Sequence, residues 1–393
     1  MPLKMKSMML RTSFFVLSVL MLYSCKKDEN TESKIVQIVF TSDQHYGLTR
    51  NFRGATNVDA SVVNKELVKQ INNVPSATFP SDGGVNAGIK IGSIDYVIVT
   101  GDITSREAPP VQSATASWAQ FNTDYLNSIT LKDKNNVKAQ FLLESGNHDV
   151  SNAIGYTKTM SPLTDPAAMF NIYNLMLSPA TPKTSSTYNY STDKINYSKD
   201  VVGVHFMFIN MWPDSTAQIW MKTDLANISS TTPVVIFTHD QPECEAKHFT
   251  NPNGTHNING TDKFENMVPE VLKDGKTTSA ATTLEQKGLV TFLKAHTNIK
   301  AYFHGNDNRN EFYIYKGPDN DMNIKAFRVD SPMKGTISGI DAADGIGDET
   351  KVSFQVIAID GASKNLTVRE VLWNTSGATS QLVWGVSSTI SLN

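Results

Sequence analysis

Five short apolar segments in this chain each end at a cluster of aspartate, asparagine or histidine residues. The segments are residues 35–40, 94–100, 139–143, 234–237 and 299–303. They are rich in β-branched and aromatic residues, which is typical of short buried strands. Apolar residues at helical spacing occur between them, near residues 59–71, 116–131 and 284–296. A further strand is predicted at residues 201–209, and a hairpin is predicted where residues 352–359 and 366–372 flank Asp360-Gly361. Strands that alternate with helices predict a layered α/β fold, in which ligands bind beyond the carboxyl ends of the strands.

The residues that follow these segments carry donor atoms that borderline divalent metals prefer. They are Asp43-Gln44-His45, Gly101-Asp102, Gly146-Asn147-His148-Asp149, Thr238-His239-Asp240 and His304-Gly305-Asn306-Asp307-Asn308. Asp and Asn oxygens together with His nitrogens suit Mn, Fe, Co or Zn. One carboxylate placed between two ions can bridge them. The recurrence of such clusters at the ends of separate segments therefore predicts a metal site.

In this order and context, the clusters resemble the signature of the calcineurin-like metallophosphoesterase family, which reads D-x-H, GD, GNH[DE], a single histidine and then GHxH. The resemblance covers residues 35–308, and the GNHD segment at residues 146–149 is its most specific part. It implies a four-layer α/β/β/α sandwich of two mixed β-sheets flanked by helices. It also implies a hydrolase that acts on phosphate esters and holds two divalent metal ions, drawn from Mn, Fe, Zn, Co or Mg.

Carried over residue by residue, the resemblance assigns five metal ligands. Asp43 and His45 would bind the first ion, and Asn147 and His239 would bind the second. Asp102 would bridge both ions. Glycine precedes both Asp102 and Asn147 in the sequence, which lets the backbone turn sharply at the end of the strand.

The resemblance assigns the chemistry to the next two residues of the GNHD segment. His148 would face the substrate as general acid, and Asp149 would orient the His148 ring through its other nitrogen. A metal-activated hydroxide would attack phosphorus, and His148 would protonate the departing oxygen. The predicted function is hydrolysis of a phosphodiester or phosphomonoester. The alternative is a catalytically weakened lipoprotein of the same fold that acts as a binding or interaction protein.

The last cluster departs from the family pattern, because Asn306 and Asn308 stand where GHxH places two histidine ligands. An asparagine can ligate through its side-chain oxygen, but it binds late transition metals more weakly than imidazole does. Three outcomes are open. The two asparagines ligate and shift the preference toward harder ions such as Mn or Mg; His304 or Asp307 replaces them; or one metal position is weak. Gly305 keeps the family register, which favours the asparagines as ligands.

The N-terminus has the pattern of an export signal. Basic residues at positions 4, 6 and 11 precede an apolar run at residues 13–23, and Cys25 follows at the place of a lipidated cysteine. We therefore expect a lipoprotein signal peptide at residues 1–24, a linker at residues 25–33 after the lipidated cysteine, and one metallophosphoesterase domain at residues 34–393. The expected location is the outer membrane, cell surface or periplasm of a Gram-negative bacterium, with the lipid bilayer as a partner. The alternative is an ordinary cleaved signal with a chance cysteine.

Charge and cysteine content exclude other classes of protein. The formal net charge is −3, and because binding through phosphates needs a basic field, no nucleic-acid-binding surface is predicted. Two cysteines, Cys25 and Cys244, cannot form a disulfide framework. Cys244 is expected to be an inert small residue and His205 a core residue, whereas His248 and His256 are expected to be solvated loop residues.

The lipidation hypothesis predicts that Cys25→Ala releases the exported protein from membranes, because a lipid chain on Cys25 is the expected anchor. The measurement is fractionation of cells that express the full chain, followed by immunoblotting of the membrane and soluble fractions. Cys244→Ala is the matched control and should fractionate as the wild type does. A Cys25→Ala variant that stays with the membranes would show that Cys25 is not the anchor.

Overall fold

The computed structural model describes residues 34–105, 112–150, 165–252, 264–272, 283–333, 348–377 and 381–393. The predicted signal peptide, Cys25, the predicted linker and His256 therefore lie outside the described residues. Among the helices of the described part, none combines the length and hydropathy that a bilayer-spanning segment needs.

The described chain alternates strands and helices in its first half and ends in strands. The strands are β1 (Ile35–Thr41), β2 (Thr49–Phe52), β3 (Ala55–Asp59), β4 (Tyr96–Thr100), β5 (Gln140–Glu144), β6 (Tyr197–Val201), β7 (Val204–Ile209), β8 (Val234–Thr238), β9 (Ile299–His304), β10 (Glu311–Tyr315), β11 (Ile324–Arg328), β12 (Ser353–Asp360), β13 (Asn365–Leu372) and β14 (Val383–Ser391). The helices are α1 (Ala60–Asn73), α2 (Ala114–Phe121), α3 (Asn147–Val150), α4 (Ala167–Leu177), α5 (Ser215–Leu225) and α6 (Thr283–Ala295).

Twelve of these strands form two six-stranded mixed sheets. The first sheet has the order β14-β13-β12-β1-β4-β5, and the second has the order β10-β11-β9-β8-β7-β6, while β2 and β3 form a separate hairpin. In the first sheet β1, β4 and β5 run parallel, and in the second β7, β8, β9 and β11 do. Because parallel strands end at the same edge, the loops after β1, β4 and β5 lie together, as do those after β8 and β9.

The two sheets pack face to face over an aromatic core. Phe237 on β8 stacks against Phe208 and Phe303, with ring centroids 5.1 and 4.8 Å apart, and meets Phe40 of the other sheet edge-on at 5.8 Å. Alternate side chains explain this arrangement: in β1, Val36, Ile38 and Phe40 belong to the core between the sheets, whereas Val39 belongs to the core on the opposite face. Strand side chains alternate between faces, so each central strand contributes to two cores.

Helices cover the outer face of each sheet. Val63, Leu67 and Ile71 of α1 recur at spacings of three to four and pack in the outer core of the first sheet. Helices α5 and α6 pack in the outer core of the second sheet through residues such as Met221 and Leu289. The protein is therefore a mixed α/β structure of two large mixed sheets with helices outside them, as the sequence predicts.

Several element predictions need correction. The single strand predicted at residues 201–209 is the hairpin of β6 and β7, which turns at Val202-Gly203, where both φ angles are positive. The helix predicted over residues 116–131 is α2 followed by a π-helical turn, Asn122–Asn127. The hairpin predicted around Asp360-Gly361 is confirmed by β12 and β13. Strands β2, β3, β10, β11 and β14 are not predicted from the sequence. Most of their residues are exposed or half-buried, so they lack the continuous apolar pattern of the buried strands, except in β10, whose run Phe-Tyr-Ile-Tyr is not recognised as a strand.

The aromatic core predicts a large stability cost for Phe237→Ala. Truncation of a buried phenylalanine removes its contacts and leaves a cavity, so the free energy of unfolding should fall by about 3–5 kcal/mol. Urea denaturation of the metal-free protein measures this loss. Ile219→Ala on α5 is the control, because that side chain is 68% exposed and should change stability by no more than about 0.5 kcal/mol. Equal effects of the two substitutions would contradict the packing described here.

Candidate metal centre

The structure brings the polar residues at several strand ends into one centre. Asp43 and His45 follow β1, Asp102 follows β4, Asn147 follows β5 and His239 follows β8. Backbone hydrogen bonds join the first two loops, from Asp43 N to Gly101 O (2.9 Å) and from His45 N to Asp102 O (2.8 Å). Asp43, Asp102 and His239 each offer one ligand atom within 4.8 Å of the others, and so do His45, Asp102 and His148.

Asp102 lies between two sets of donor atoms. Its Oδ2 is 3.6 Å from Nε2 of His45, which is also 3.7 Å from Oδ1 of Asp43. Its Oδ1 is 3.5 Å from Nε2 of His239, which is 2.9 Å from Oδ1 of Asn147. Ligands bound at about 2.0–2.2 Å to one ion, with angles of about 90–120°, lie about 2.8–3.8 Å apart. The two oxygens of Asp102 therefore face two donor sets, each with the spacing of a ligand shell.

The hydrogen bonds of His239 suit a metal ligand. Its Nδ1 lies 2.7 Å from the carbonyl oxygen of Thr100, which only accepts hydrogen bonds, so Nδ1 carries the proton that is donated. In its neutral form, the ring presents the Nε2 lone pair to the oxygens of Asn147 and Asp102. A lone pair among oxygens is unfavourable unless a proton or a cation lies between them. A backbone carbonyl behind a ligating histidine is also the usual way in which its tautomer is fixed.

Two buried oxygens of the predicted ligands have no hydrogen-bond partner among the described residues. They are Oδ1 of Asp43 and Oδ1 of Asn308. A buried polar atom without a partner carries a free-energy cost that a bound cation would remove. Carboxylate, amide and imidazole donors around unpaired oxygens fit divalent metal ions.

Buried charge in the centre shifts the pKa of its groups. Burial, opposed by His239 and reinforced by Asp102, raises the pKa of Asp43 to about 7. Burial also acts to raise the pKa of Asp102, but His239, His148 and His45 hold it well below its usual range. Burial alone would lower the pKa of His239, yet the charge and hydrogen bond of Asp102 raise it to about 10. Carboxylates this close together out of water are complemented by cations, which are the largest local charges in such sites.

The backbone is strained where it supplies these groups. Asp43, His45 and Asp102 have φ angles of 57°, 45° and 50°, in the left-handed region that is uncommon for residues other than glycine. A left-handed backbone conformation at such a residue costs of order 1–3 kcal/mol of conformational free energy, and it is maintained only where surrounding contacts stabilise it. Two glycines allow the loops to approach: a Cβ on Gly146 would overlap Oδ1 of Asp102, and one on Gly305 would overlap Oδ2 of Asp43.

His148 is the histidine of this centre that solvent reaches best. Its side chain is 16% exposed, compared with 7% for His45 and none for His239. Its ring lies edge-on to that of His45, with centroids 4.8 Å apart, and its backbone N–H donates to Oδ1 of Asp102 at 2.8 Å. The ring thus stands at the mouth of the centre, in a position fixed by Asp102.

Asp149 has a different set of contacts from the predicted one. Its carboxylate accepts hydrogen bonds from the backbone N–H groups of Gly146 (2.9 Å), Ile103 (3.3 Å) and Thr104 (2.8 Å) and from the Thr104 hydroxyl (3.0 Å). These bonds join the loop after β4 to the loop after β5, so Asp149 positions the two loops rather than the ring of His148. Both oxygens of Asp149 accept hydrogen bonds, mostly from backbone N–H groups. Every residue type except proline has such a group, so a sequence pattern cannot indicate these contacts.

The loop after β9 places Asn306 against the centre. Its backbone N–H donates to Oδ2 of Asp43 at 3.1 Å, and its side-chain Nδ2 donates to Oδ1 of Asp240 at 2.9 Å and to Oε1 of Gln241 at 3.2 Å. Asn308 lies beside it, with Nδ2 3.5 Å from the carbonyl oxygen of Asn306. Both asparagines have positive φ angles, 71° and 50°.

The two residues that could replace the asparagines are engaged elsewhere. The ring nitrogens of His304 lie 3.1 Å from the carbonyl oxygen of Gly305 and 3.0 Å from the hydroxyl of Tyr313. The carboxylate of Asp307 lies 3.3 Å from Arg328 and 3.4 Å from Arg309. The side chains of His304 and Asp307 are therefore held by contacts with residues other than the predicted metal ligands.

A second buried cluster surrounds Asp240. Its Oδ2 is 2.7 Å from Nδ1 of His248 and 2.9 Å from Sγ of Cys244, and Nε2 of His248 is 3.4 Å from Glu265. His248 is fully buried, so the expectation of a solvated loop residue is wrong, because an acidic pocket receives the ring. Cys244 is buried too. The side chains of Asp240, Cys244 and His248 could hold a metal ion, but 2.7 Å is a hydrogen-bond length and shorter than the spacing between ligands of one ion.

His205 is buried in β7, as expected of a core residue. Its two ring nitrogens each lie 2.7 Å from a carboxylate, that of Asp200 and that of Asp224. It lies on a strand of the second sheet and belongs to the packing of β6, β7 and α5 rather than to the centre.

The calcineurin-like phosphoesterase family model matches residues 36–311, which is more than half of the 393-residue chain. The chain therefore belongs to the calcineurin-like phosphoesterase family. No curated protein matches the sequence.

The comparison with solved structures finds matches at low sequence identity. A dimetal phosphatase from Danio rerio is 8% identical, with a TM-score of 0.50, and the match covers 92% of this chain and 100% of that one. The calcineurin-like phosphoesterase YfkN from Bacillus subtilis is 10% identical, with a TM-score of 0.30 and 92% of each chain covered. At such identities the first of these likenesses supports the fold alone.

The close approach at two glycines predicts that Gly146→Ala and Gly305→Ala lower metal content. The new methyl group would push Asp102 or Asp43 out of position, and displaced ligands bind metal more weakly. The measurement is elemental analysis after dialysis of the purified protein against manganese and then buffer. Gly288→Ala is the control, because nothing lies within 4 Å of its Cβ position on α6. Full metal content in both variants, with native circular dichroism, would contradict the geometry.

Proposed function

We propose that the protein hydrolyses phosphate esters with the help of two divalent metal ions, with His148 as the general acid. The observation that carries this proposal is the position of Asp102, whose two oxygens face separate donor sets 3.5–3.6 Å away, while its neighbour His148 is the most solvent-accessible of the three histidine rings. Family membership and the strand-end ligands support the same class of reaction. A structural neighbour described as a dimetal phosphatase agrees with it.

Each ion would have its own ligands. Asp43, His45 and one oxygen of Asp102 would hold the first ion. Asn147, His239 and the other oxygen of Asp102 would hold the second. When bound, such ions lower the pKa of water and neutralise the charge that develops on a transferring phosphoryl group.

The asparagines would complete the centre. Oδ1 of Asn308 is buried without a hydrogen-bond partner among the described residues, and Asn306 contacts Asp43 through its backbone. Each would supply a neutral oxygen where relatives supply an imidazole nitrogen. We propose that the centre prefers oxygen-binding ions such as Mn or Mg for this reason.

His148 would donate a proton to the departing oxygen of the substrate. The ring is partly exposed, so a substrate can reach it, and the hydrogen bond from its backbone to Asp102 keeps it beside the centre. Asp149 would support this step indirectly, because it holds the loop that carries His148 against the loop that carries Asp102. A general acid of this kind contributes about 10²–10⁴-fold to the rate.

We also propose that the enzyme acts outside the cytoplasm, attached to a membrane through Cys25. The basic N-terminal residues, the apolar run at residues 13–23 and the cysteine that follows support this proposal. The phosphate ester would then be met at the cell surface or in the periplasm.

The proposal predicts different defects for His148→Ala and Asp102→Asn in the manganese-loaded protein. His148→Ala should keep its metal and lower kcat by about 10²–10⁴-fold on a phosphodiester with an alkyl leaving group. The loss should be smaller with bis(p-nitrophenyl) phosphate, whose leaving group needs no proton. Asp102→Asn should instead lower metal content. Turnover is followed by product release, and metal by elemental analysis.

His296→Ala is the matched control, because that ring lies at the end of α6, where Nδ1 is 2.8 Å from the carbonyl oxygen of Phe292. The His296→Ala variant should keep the wild-type metal content and the wild-type kcat. Loss of metal in His148→Ala with retention in Asp102→Asn would reverse the assigned roles. A wild-type protein that holds two ions and turns over neither substrate would favour the binding-protein alternative.

A further inference from the structure

An asparagine ligand raises a problem that an imidazole does not. The planar amide of Asn306 has an oxygen at one end and an NH₂ group at the other, and only the oxygen can bind a cation. The two ends are nearly equal in size, so packing alone does not select between them. A polar neighbour must select the orientation if Asn306 is to ligate.

Two acceptors lie at the nitrogen end of this amide. Nδ2 of Asn306 donates to Oδ1 of Asp240 at 2.9 Å and to Oε1 of Gln241 at 3.2 Å. An ionised carboxylate only accepts hydrogen bonds, so Asp240 can face the NH₂ group but repels the oxygen. Both amide hydrogens are thereby used, and Oδ1 of Asn306 is the end directed away from Asp240.

Both the side chain and the backbone of Asp240 are fixed by hydrogen bonds. Its other oxygen accepts from Nδ1 of His248 at 2.7 Å and from Sγ of Cys244 at 2.9 Å. Its backbone N–H donates to the carbonyl of Met211 at 2.9 Å, and its own carbonyl accepts from the hydroxyl of Tyr302 at 2.9 Å. The residue is fully buried. A carboxylate with this many partners cannot rotate to release Asn306 without breaking other hydrogen bonds.

The end of β8 therefore supplies two functions in adjacent residues. His239 directs its ring toward Asp102 and Asn147, while Asp240 reaches the loop after β9. That loop is fixed to the same strand end by the hydrogen bond from Gly305 N to His239 O, at 3.0 Å. The amide and its acceptor are thus held in register by backbone contacts as well as by side chains.

We propose that Asp240 is a positioning residue that orients the amide of Asn306 so that its oxygen faces the metal centre, with His248 and Cys244 holding the Asp240 carboxylate in place. This inference rests on the proposed two-metal function. It assigns a role to the buried cluster of Asp240, Cys244 and His248, which the proposed chemistry does not otherwise use.

The test is a double-mutant cycle on manganese affinity, measured by calorimetry with the metal-free full chain. Asp240→Asn places an NH₂ group in one of two positions. Against the NH₂ of Asn306 it removes the acceptor of that amide, and against His248 and Cys244 it removes the hydrogen bonds that hold residue 240 in place, so in either case the amide of Asn306 is held less firmly. The Kd of one manganese ion should rise by about 10–100-fold, the usual effect of losing a group behind a ligand.

The second arm repeats the substitution in an Asn306→Asp background. The carboxylate introduced by Asn306→Asp has an oxygen at both ends, so its orientation no longer matters, and the amide introduced by Asp240→Asn can donate to it. Asp240→Asn should therefore cost little or no affinity in this background. A purely structural role of Asp240 would give the same loss in both backgrounds, which would overturn the inference.

Asp224→Asn is the matched control, because Asp224 also accepts from a buried histidine, at 2.7 Å from His205, on another part of the second sheet. It should leave both manganese affinities unchanged, and thermal unfolding of each metal-free variant confirms that it is folded. If Asp240→Asn fails to fold, Gln241→Leu removes the other acceptor of the same amide and should weaken the same ion.

The outcomes separate this inference from the proposed function. A wild-type chain that binds no manganese overturns both. Two bound ions with unchanged affinity in Asp240→Asn overturn the inference alone. A third bound ion that Cys244→Ser abolishes also overturns it, because Asp240 would then be a metal ligand rather than a positioning residue.

Discussion

The fold of this protein is arranged around one buried carboxylate. Asp102 sits in a strained backbone conformation after β4, and its two oxygens face His45 on one side and His239 on the other. The first histidine comes from the same sheet and the second from the opposite sheet, so the centre forms only where strand ends of both sheets meet. The aromatic contact between Phe40 and Phe237, which joins the two sheets, thereby helps to fix the distance between the two donor sets.

The strain and the charge of the centre are balanced by contacts around it. Left-handed backbone at Asp43 and Asp102 is held by hydrogen bonds between their loops, and Asp149 joins a third loop to the second through backbone N–H groups. The buried carboxylates of Asp43 and Asp102 lower the stability of the fold until cations bind. The hydrophobic cores on the faces of the two sheets must offset this loss. Such preorganisation is what a phosphoryl-transfer site requires, because its chemistry depends on positioned charge.

Much of this arrangement can be predicted from sequence, and the limits have a physical reason. Short apolar runs that end in Asp43, Asp102, Asn147 and His239 indicate both the strands and the edge where they meet, because side-chain type and strand order are encoded locally. Contacts made by backbone groups do not depend on residue type in this way. The hydrogen bonds by which Asp149 joins the loops after β4 and β5 therefore could not be predicted from the sequence. The solvated position predicted for His248 is wrong because its acidic pocket is built from residues that only the fold brings together.

Metal ligation by asparagine at positions 306 and 308, as proposed, would change what the neighbouring residues must do. An imidazole with its Nδ1 proton donated to a carbonyl, as in His239, needs only one acceptor to select the ligating nitrogen. An amide needs acceptors at its nitrogen end and no hydrogen-bond donor at its oxygen end. Asp240 and Gln241 supply the first condition for Asn306, and the unpaired oxygen of Asn308 meets the second. Both arrangements are compatible with the proposed ligation of metal ions through amide oxygens.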